Sequence, residues 1–570
     1  MLSTTSKSAG ALTRQTVRVI TLLVLCACAA STGAAARDSN GDLAAQIDQI
    51  MTAAYKPDQP GAAVIVVKDG KTIFRKGYGM ADLELGVKVE PDHVFRIGSI
   101  TKQFTAVAIL ELVERGKVSL SDEITRFFPD YPTHGQKITV EHLLTHTSGI
   151  KSYTSLPEWL SQWRKDMTVK EIIDLFKDKP MDFAPGEKWS YSNSGYILLG
   201  AIIEKVSGMS YEDFIQKNIF DVVGMKNSYY GNASRIIAHR IPGYSKGKTG
   251  LENAAYLSMT QPYAAGSLLS TVDDLALWDA ALSTDKLVKQ ETLKRAFTPY
   301  KLNNGVVTGY GYGWTMVDYE GHLMIEHGGG INGFITYMLR VPQDHVFVSV
   351  LTNKDFGPTT PDDVAFKIAC LAIGKPYKDP VAISLTEKAL DTYVGVYAID
   401  EKEQRVISRE GNQLYSQRSG GEKQPIYPSS ETEFFYKGSD SRLTFSKGES
   451  GQVTQVTARG RYGPPETAKK TANAVPGARK EIKLDAASLD QFTGEYEIAP
   501  GMVISVTRES DSLMAQMAGQ PKVQIFPESD TKFFLKVVDA QIEFVKDASG
   551  KINGAVLTQG SQTLNCKRTK

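Results

Sequence analysis

The sequence predicts an α+β domain with an antiparallel sheet, followed by two small all-β barrel-like domains, and three observations carry that prediction. Strand-like runs stand at both ends of a helix-rich block, at Gly61–Gly79 and again between His322 and Asn353. Strands flanking a run of helices build a mixed domain whose sheet is antiparallel. After GKPYKDP, near residue 380, the composition turns to short β-type runs separated by Gly and Ser. Within those runs the chain repeats itself. LDTYVGVY at Leu390–Tyr397 returns as LDQFTGEY at Leu489–Tyr496, and PSSETEFF at Pro428–Phe435 returns as PESDTKFF at Pro527–Phe534, both 99 residues later. Two copies of a strand-rich unit shorter than about a hundred residues read as two small antiparallel barrels.

In chain order, Lys7, Arg14 and Arg18 precede the apolar run VITLLVLCACAA, and Ala34-Ala35-Ala36 supplies small residues for cleavage. Residues 1–36 are therefore expected to be an export signal, giving a periplasmic or secreted protein. The apolar run is too short to cross a bilayer as a helix, and no later run reaches the required length. Cys28, in Leu25-Cys26-Ala27-Cys28, is a candidate lipid anchor. GAAVIVVKDGKTIFRKGYG then predicts a hairpin about Asp69-Gly70. A helix is expected from Ser99 to Arg115, stopped by Gly116. The expected domains are the mixed α+β domain over 37–380, a barrel repeat over 384–460, a Pro, Ala and Lys-rich linker over 461–481, and a second repeat over 482–570.

Composition narrows the partners. A hydrophobic content of 42% with 23% charged residues is that of a soluble globular protein. Lys plus Arg number 65 against 64 Asp plus Glu, which leaves no basic face for nucleic acid and no acidic tail. After signal removal Cys370 and Cys566 remain, in different expected domains; one bridge between them stays open, but two cysteines are no disulfide framework.

The chemistry starts at RIGSITKQFTAVAILELVERG, Arg96 to Gly116. From Phe104 to Val113 the helix is apolar on nearly every side, so Lys102, one turn inside its start, enters an apolar interior. A lysine there loses hydration unless it is partnered or deprotonated. Ser99 lies three residues earlier on the same face. A desolvated amine at that spacing is able to take the proton that keeps serine a poor nucleophile. The bland alternative is a helix-capping serine beside a snorkelling lysine.

Three further stretches decide between them: HLLTHTSGI at His142–Ile150, PGEKWSYSNSGYILLGAIIEKVSG at Pro185–Gly208, and EHGGGINGF at Glu326–Phe334. In this order after SITK they closely resemble the serine β-lactamase and penicillin-binding superfamily, in its class C-like branch of peptidases and esterases. The resemblance covers roughly residues 45 to 378, and the two C-terminal repeats resemble the lipocalin-like barrels of its D-aminopeptidase members. It implies Ser99 as acylated nucleophile and Lys102 as its proton partner. Tyr191 is implied as general base or shuttle, made anionic if Lys102 stabilises the phenolate, and Asn193 as the amide that positions Lys102 and substrate. His327, Gly328, Gly329 and Gly330 form the third motif, with the amides of Ser99 and Gly330 as the oxyanion hole.

Decoys are set aside by context. A literal KTG at Lys248–Gly250 lies in a polar loop without flanking strand runs, as does Ser245 in the elbow-like GYSKG. His142 and His146, at i and i+4, carry no glutamate between them, and the resemblance implies a packed turn there rather than a zinc site. Thr271 and Asp274 read as a capping box.

The resemblance implies an acyl-enzyme hydrolase of amides or esters with no metal or organic cofactor. Where lactam-binding relatives carry a lysine to hold the substrate carboxylate, this chain has His327, largely neutral near pH 7. That favours aminopeptidase, endopeptidase or esterase activity on substrates without such a carboxylate, and the function expected first is that of a D-aminopeptidase-like or short-peptide hydrolase. The alternatives are a β-lactamase or D-Ala-D-Ala carboxypeptidase, a carboxylesterase, and a non-catalytic cell-wall-binding or penicillin-sensing protein.

Overall fold

The computed structural model describes residues 41–570 except 248, 402, 438–440, 461–464, 474, 476–480, 500, 501, 518–521, 560, 561 and 570. The signal segment, Cys28 and Lys248 lie outside the described residues, as does much of the expected linker.

The N-terminal domain is built on a six-stranded antiparallel sheet. Its strands are β1 (Ala62–Lys68), β2 (Lys71–Tyr78), β3 (Thr315–Tyr319), β4 (His322–Ile331), β5 (Phe334–Val341) and β6 (Val346–Thr352), in the order β3-β4-β5-β6-β1-β2. β1 and β2 form the expected hairpin, with Asp69 and Gly70 both at positive φ, 51° and 71°. β1 is apolar throughout because both its faces are covered. Ala63 and Ile65 face the large core shared with the helical block, while Ala62, Val64 and Val66 face a second core. That second core is closed by the helix at residues 41–54 and by a helix at Pro361–Ala372.

Between β2 and β3 the chain forms the helical block. Its central helix, α1 (Thr101–Glu114), follows a single 3-10 turn at Gly98–Ile100 and ends at Arg115, with Gly116 at φ 66°. Phe104, Ala106, Val107, Ala108, Ile109 and Leu110 have no solvent exposure, which explains why the helix has no polar face. The second helix used here, α2 (Asn193–Ser207), packs against α1 and ends at Gly208 in the left-handed region.

The C-terminal region forms two closed eight-stranded antiparallel barrels, one from Gly395 to Lys470 and the other from Gly494 to Arg568. Each is filled by its own side chains, around Phe434, Leu443 and Phe445 in the first and Phe533, Ile542 and Phe544 in the second. The eighth strand of the first barrel, Glu466–Lys470, falls where the sequence suggested linker; it pairs with Val453–Arg459 and closes on Gly395–Ala398. Only Ala468 of ETAKK is buried, so an outward charged face hides the strand pattern. Cys370 and Cys566 are both buried, in separate cores, and are not joined by a disulfide.

Candidate active site

The site forms where the start of α1 meets the bare half of β4. β3 pairs β4 from His322 to Glu326 only, so from His327 to Ile331 β4 is bonded on one side, to β5. The 3-10 turn is pressed against this half. A Cβ on Gly98 would come within 2.9 Å of the Gly330 amide nitrogen, and one on Gly329 within 2.0 Å of the Ile97 carbonyl oxygen. Glycine at these positions therefore lets Ser99 stand beside a strand edge with unpaired backbone groups.

Lys102 Nζ lies 3.0 Å from Ser99 Oγ, 2.8 Å from Asn193 Oδ1 and 2.8 Å from the Ala265 carbonyl oxygen. The side chain is fully buried, and desolvation holds its pKa well below that of an ordinary lysine. A neutral amine has two N–H donors and one lone pair. In that form Asn193 Oδ1 and Ala265 O would accept both hydrogens, and the lone pair would face the Ser99 hydroxyl. Asn193, the first residue of α2, is itself fixed: its Nδ2 donates to Thr154 Oγ1 at 3.0 Å and its amide to Ser152 Oγ at 3.1 Å.

Tyr191 brings its ring 4.8 Å from Lys102 Nζ. Burial raises its phenol far above the ordinary tyrosine range, with Ser99 acting the other way, and among the described residues its oxygen closes no hydrogen bond. The burial that raises the Tyr191 pKa, beside a lysine whose own charge burial opposes, disfavours the anionic form of Tyr191 entertained from sequence.

His327 is 5% exposed, and its tautomer is set by its neighbours. Nδ1 lies 2.6 Å from the Gly328 carbonyl oxygen, which only accepts, so Nδ1 carries the hydrogen. Nε2 then accepts from the Tyr310 hydroxyl at 2.8 Å. Burial, helped by Lys102, pushes the pKa down to about 3 against the pull of that carbonyl. The imidazole is neutral and both its nitrogens are engaged.

Ser99, Tyr191, His327 and Gly330 border a cavity of about 530 Å³, with Trp189 and Tyr310 among its walls. Tyr310, in GYGYGW, escaped sequence reasoning, although a tyrosine between glycines just before the third motif is a usable signal. No signal marks the Ala265 carbonyl. His142 accepts from Thr139 N in a helix capping box, and His146 accepts from Ser192 N with its ring 4.2 Å from that of Tyr191. Among the described residues no group of three or more His, Cys, Asp or Glu is placed to hold a metal. Ser245 sits on a two-stranded hairpin that sequence reading missed, Tyr244–Lys246 with Leu251–Asn253, and its Oγ donates to Asp355 at 2.7 Å. Thr271 caps its helix through the Asp274 amide, but Asp274 turns instead to accept from Asn227 N and Ser228 Oγ.

An α+β domain of this topology with a serine, a buried lysine and a tyrosine at one strand edge is that of a serine hydrolase with the penicillin-binding and β-lactamase fold. The chain belongs to the β-lactamase family, whose description, Beta-lactamase, matches residues 43–372. Residues 379–471 and 478–568 each match a domain of unknown function, DUF3471. The chain is 30% identical over 415 residues to Penicillin-binding protein 4* of Bacillus subtilis (strain 168), covering 69% of this chain and 91% of the relative. It is similar to the solved structure of the octameric penicillin-binding protein homologue from Pyrococcus abyssi, with TM-score 0.54 and 28% identity over 75% of this chain and 99% of that one. It is also similar to D-amino acid amidase from Ochrobactrum anthropi SV3 complexed with D-phenylalanine, with TM-score 0.52 and 27% identity over 58% and 99%. Among the described residues no helix is long and apolar enough to cross a membrane.

Proposed function

We propose that this protein is an exported, D-aminopeptidase-like hydrolase of short peptides and amino acid amides that works through an acyl-enzyme on Ser99. The observation that carries the reading is the hydrogen-bonding of Lys102. With its two N–H groups held by Asn193 Oδ1 and Ala265 O, the amine has one place to accept a proton, and that place is Ser99 Oγ. As Oγ bonds to the substrate carbonyl carbon, its proton passes to Nζ. The developing oxyanion is received by the amides of Ser99 and Gly330. Tyr191, protonated and otherwise unpartnered, gives its proton to the departing amine and is reprotonated from Lys102. Water then attacks the acyl-Ser99 ester, with Lys102 and Tyr191 taking and returning its proton.

The third motif supports the proposed substrate class. A β-lactamase or D-Ala-D-Ala carboxypeptidase needs a cation for the free carboxylate, and neutral His327, with both nitrogens engaged, supplies none. The likeness to D-amino acid amidase supports acyl groups of D configuration. Export rests on the charged and apolar pattern of residues 1–36.

The test is labelling of the purified protein with a fluorophosphonate, alongside turnover of D- and L-aminoacyl amides, the matching esters and nitrocefin. Wild type is expected to label and to prefer aminoacyl amides over nitrocefin, and Ser99→Ala to lose both labelling and turnover. Labelling of Ser99→Ala at the wild-type rate would remove Ser99 as nucleophile, and a preference for nitrocefin would return the protein to the β-lactamases.

A further inference from the structure

Of the side chains Ser99, Lys102, Tyr191 and Asn193, only that of Tyr191 closes no hydrogen bond of its own among the described residues. A proton donor has to stand about 3 Å from the atom it serves, so a phenol with no bond at its hydroxyl must be held by other means. The backbone on either side of it is gripped by one residue. Ser190 N donates to the His146 carbonyl oxygen at 2.9 Å, and Ser192 N donates to His146 Nδ1 at 3.1 Å. The His146 ring also lies against the Tyr191 ring, 4.2 Å between centroids.

His146 is fully buried and stands at φ 59°, in the left-handed region that most residues avoid. A backbone N–H only donates, so Nδ1 presents its lone pair to Ser192 and the ring hydrogen sits on Nε2. That Nε2–H closes no hydrogen bond among the described residues, and burial holds the imidazole pKa well below that of an ordinary histidine. An unpaired buried donor is a cost that an apolar side chain would not incur. What the imidazole supplies against that cost is the acceptor at Nδ1.

We propose that His146 is a positioning residue for Tyr191: through Nδ1 it clamps the backbone beside the phenol and so holds the hydroxyl where it donates a proton to the departing amine. The inference rests on the proton-donor role given to Tyr191 above and names the residue that makes the role possible. The rest of the site is anchored independently. Asn193 is held by Ser152 and Thr154, and Lys102 by Asn193 and Ala265. Loss of the imidazole therefore loosens Tyr191 and leaves the pair of Ser99 and Lys102 in place.

The test compares kcat/KM for phenylalanine amide with kcat/KM for the p-nitrophenyl ester of phenylalanine, in both D and L forms. The amide needs a proton on its leaving nitrogen, and the activated ester does not. The proteins are wild type, His146→Leu, His146→Asn, Tyr191→Phe and the double variant His146→Leu with Tyr191→Phe. Leucine removes the acceptor. Asparagine restores one, since its Oδ1 stands as far along the side chain as Nδ1, and it tolerates the left-handed backbone. In His146→Leu the amide-to-ester ratio is expected to fall at least about tenfold, toward that of Tyr191→Phe. His146→Asn should stay within about threefold of wild type, and the double variant within about twofold of Tyr191→Phe, because both changes remove one function. Equal losses on amide and ester in His146→Leu overturn the assignment. So does a ratio in His146→Asn as low as in Tyr191→Phe, or a double variant whose losses multiply. Rates are taken per active site, titrated with a fluorophosphonate, so that partial unfolding does not imitate the effect. If His146→Leu yields no labelled protein, the ratio in His146→Asn decides. Tyr191→Phe separates the two claims. An unmoved ratio in that variant removes the proton-donor reading and this inference with it, whereas a fallen ratio there with an unmoved one in His146→Leu removes His146 alone.

Discussion

Lys102 in the hydrolase domain and Arg405 in the first barrel are both cationic side chains taken out of water, and their surroundings differ. Arg405 points into the barrel beside Ile407. Its guanidinium meets Glu466 Oε1 at 2.6 Å, Ser416 Oγ at 3.0 Å and the Tyr436 hydroxyl at 3.3 Å. Lys102 has no carboxylate among its hydrogen-bond partners, which are an amide oxygen, a backbone carbonyl and the hydroxyl of Ser99. A compensated charge is structure; an uncompensated one is pushed toward the neutral form, where it becomes a base. The second barrel sharpens the point. By strand register, Arg405, Ser416, Tyr436 and Glu466 correspond there to Ile504, Ala515, Leu535 and Leu564. The same barrel closes with or without the buried ionic cluster, so the cluster is not what specifies the fold.

The largest effect that would test this contrast comes from Lys102→Met. Loss of the proton acceptor is expected to lower kcat/KM about a thousandfold, and near-normal turnover would end the comparison. The wild-type acid limb of kcat/KM should follow protonation of Lys102, because only the free amine accepts the Ser99 proton. The stability effect has a definite sign. The folded-state pKa of Lys102 lies well below its value in the unfolded chain, about 10.4. Between those values the unfolded state binds more protons, so wild-type stability rises with pH across that window. Methionine carries no such term. The stability of the variant relative to wild type, followed by denaturant unfolding from pH 7 to above 10, should therefore fall as pH rises; a flat difference would mean that Lys102 is not neutralised by folding.

Tyr191→Phe is the next largest. The phenol is buried with an unpartnered oxygen, so its removal is expected to leave stability unchanged or slightly raised. For an amide, whose leaving nitrogen needs a proton, kcat should drop about a hundredfold. For an activated ester, whose leaving group departs as an anion, the loss should be much smaller. Equal losses on both substrates would deny Tyr191 the proton-donor role.

How much of this was readable beforehand follows distance along the chain. Ser99 and Lys102 announce themselves because three residues on a helix fix their relation, and Tyr191-x-Asn193 and His327-Gly328-Gly329 lie in equally local patterns. The helical block, the hairpin at Asp69-Gly70 and both barrels were legible for the same reason, since period and turn chemistry are local. Tyr310 and Ala265 were not. Each reaches the site through tertiary packing, the second as a backbone carbonyl that any residue type would supply. Strand Glu466–Lys470 and the hairpin at Tyr244 were hidden by polar residues on exposed faces, where β pairing leaves no apolar trace.

The smallest effect separates a charge kept for structure from one kept for chemistry. Arg405→Ile places the residue of the second barrel into the first, but it leaves Glu466 near the barrel interior without its main partner. Breaking a buried ion pair costs about 3–5 kcal/mol when the remaining charge is wholly enclosed. Glu466 is 24% exposed and still accepts from Arg418 Nε at 2.9 Å, so a loss of about 1–2 kcal/mol is expected instead. The double variant Arg405→Ile with Glu466→Leu removes both charges and installs the two residues found at these positions in the second barrel, where Ile504 is buried and Leu564 lies at the surface. It should recover at least half of that loss, read as the midpoint of denaturant unfolding, because replacing both members of a buried pair by apolar residues is often neutral or stabilising. Neither change should move kcat/KM on an aminoacyl amide. A double variant less stable than the single one would show that the ionic cluster holds the first barrel together in a way the second barrel does not need, and the contrast with Lys102 would then rest on the hydrolase domain alone.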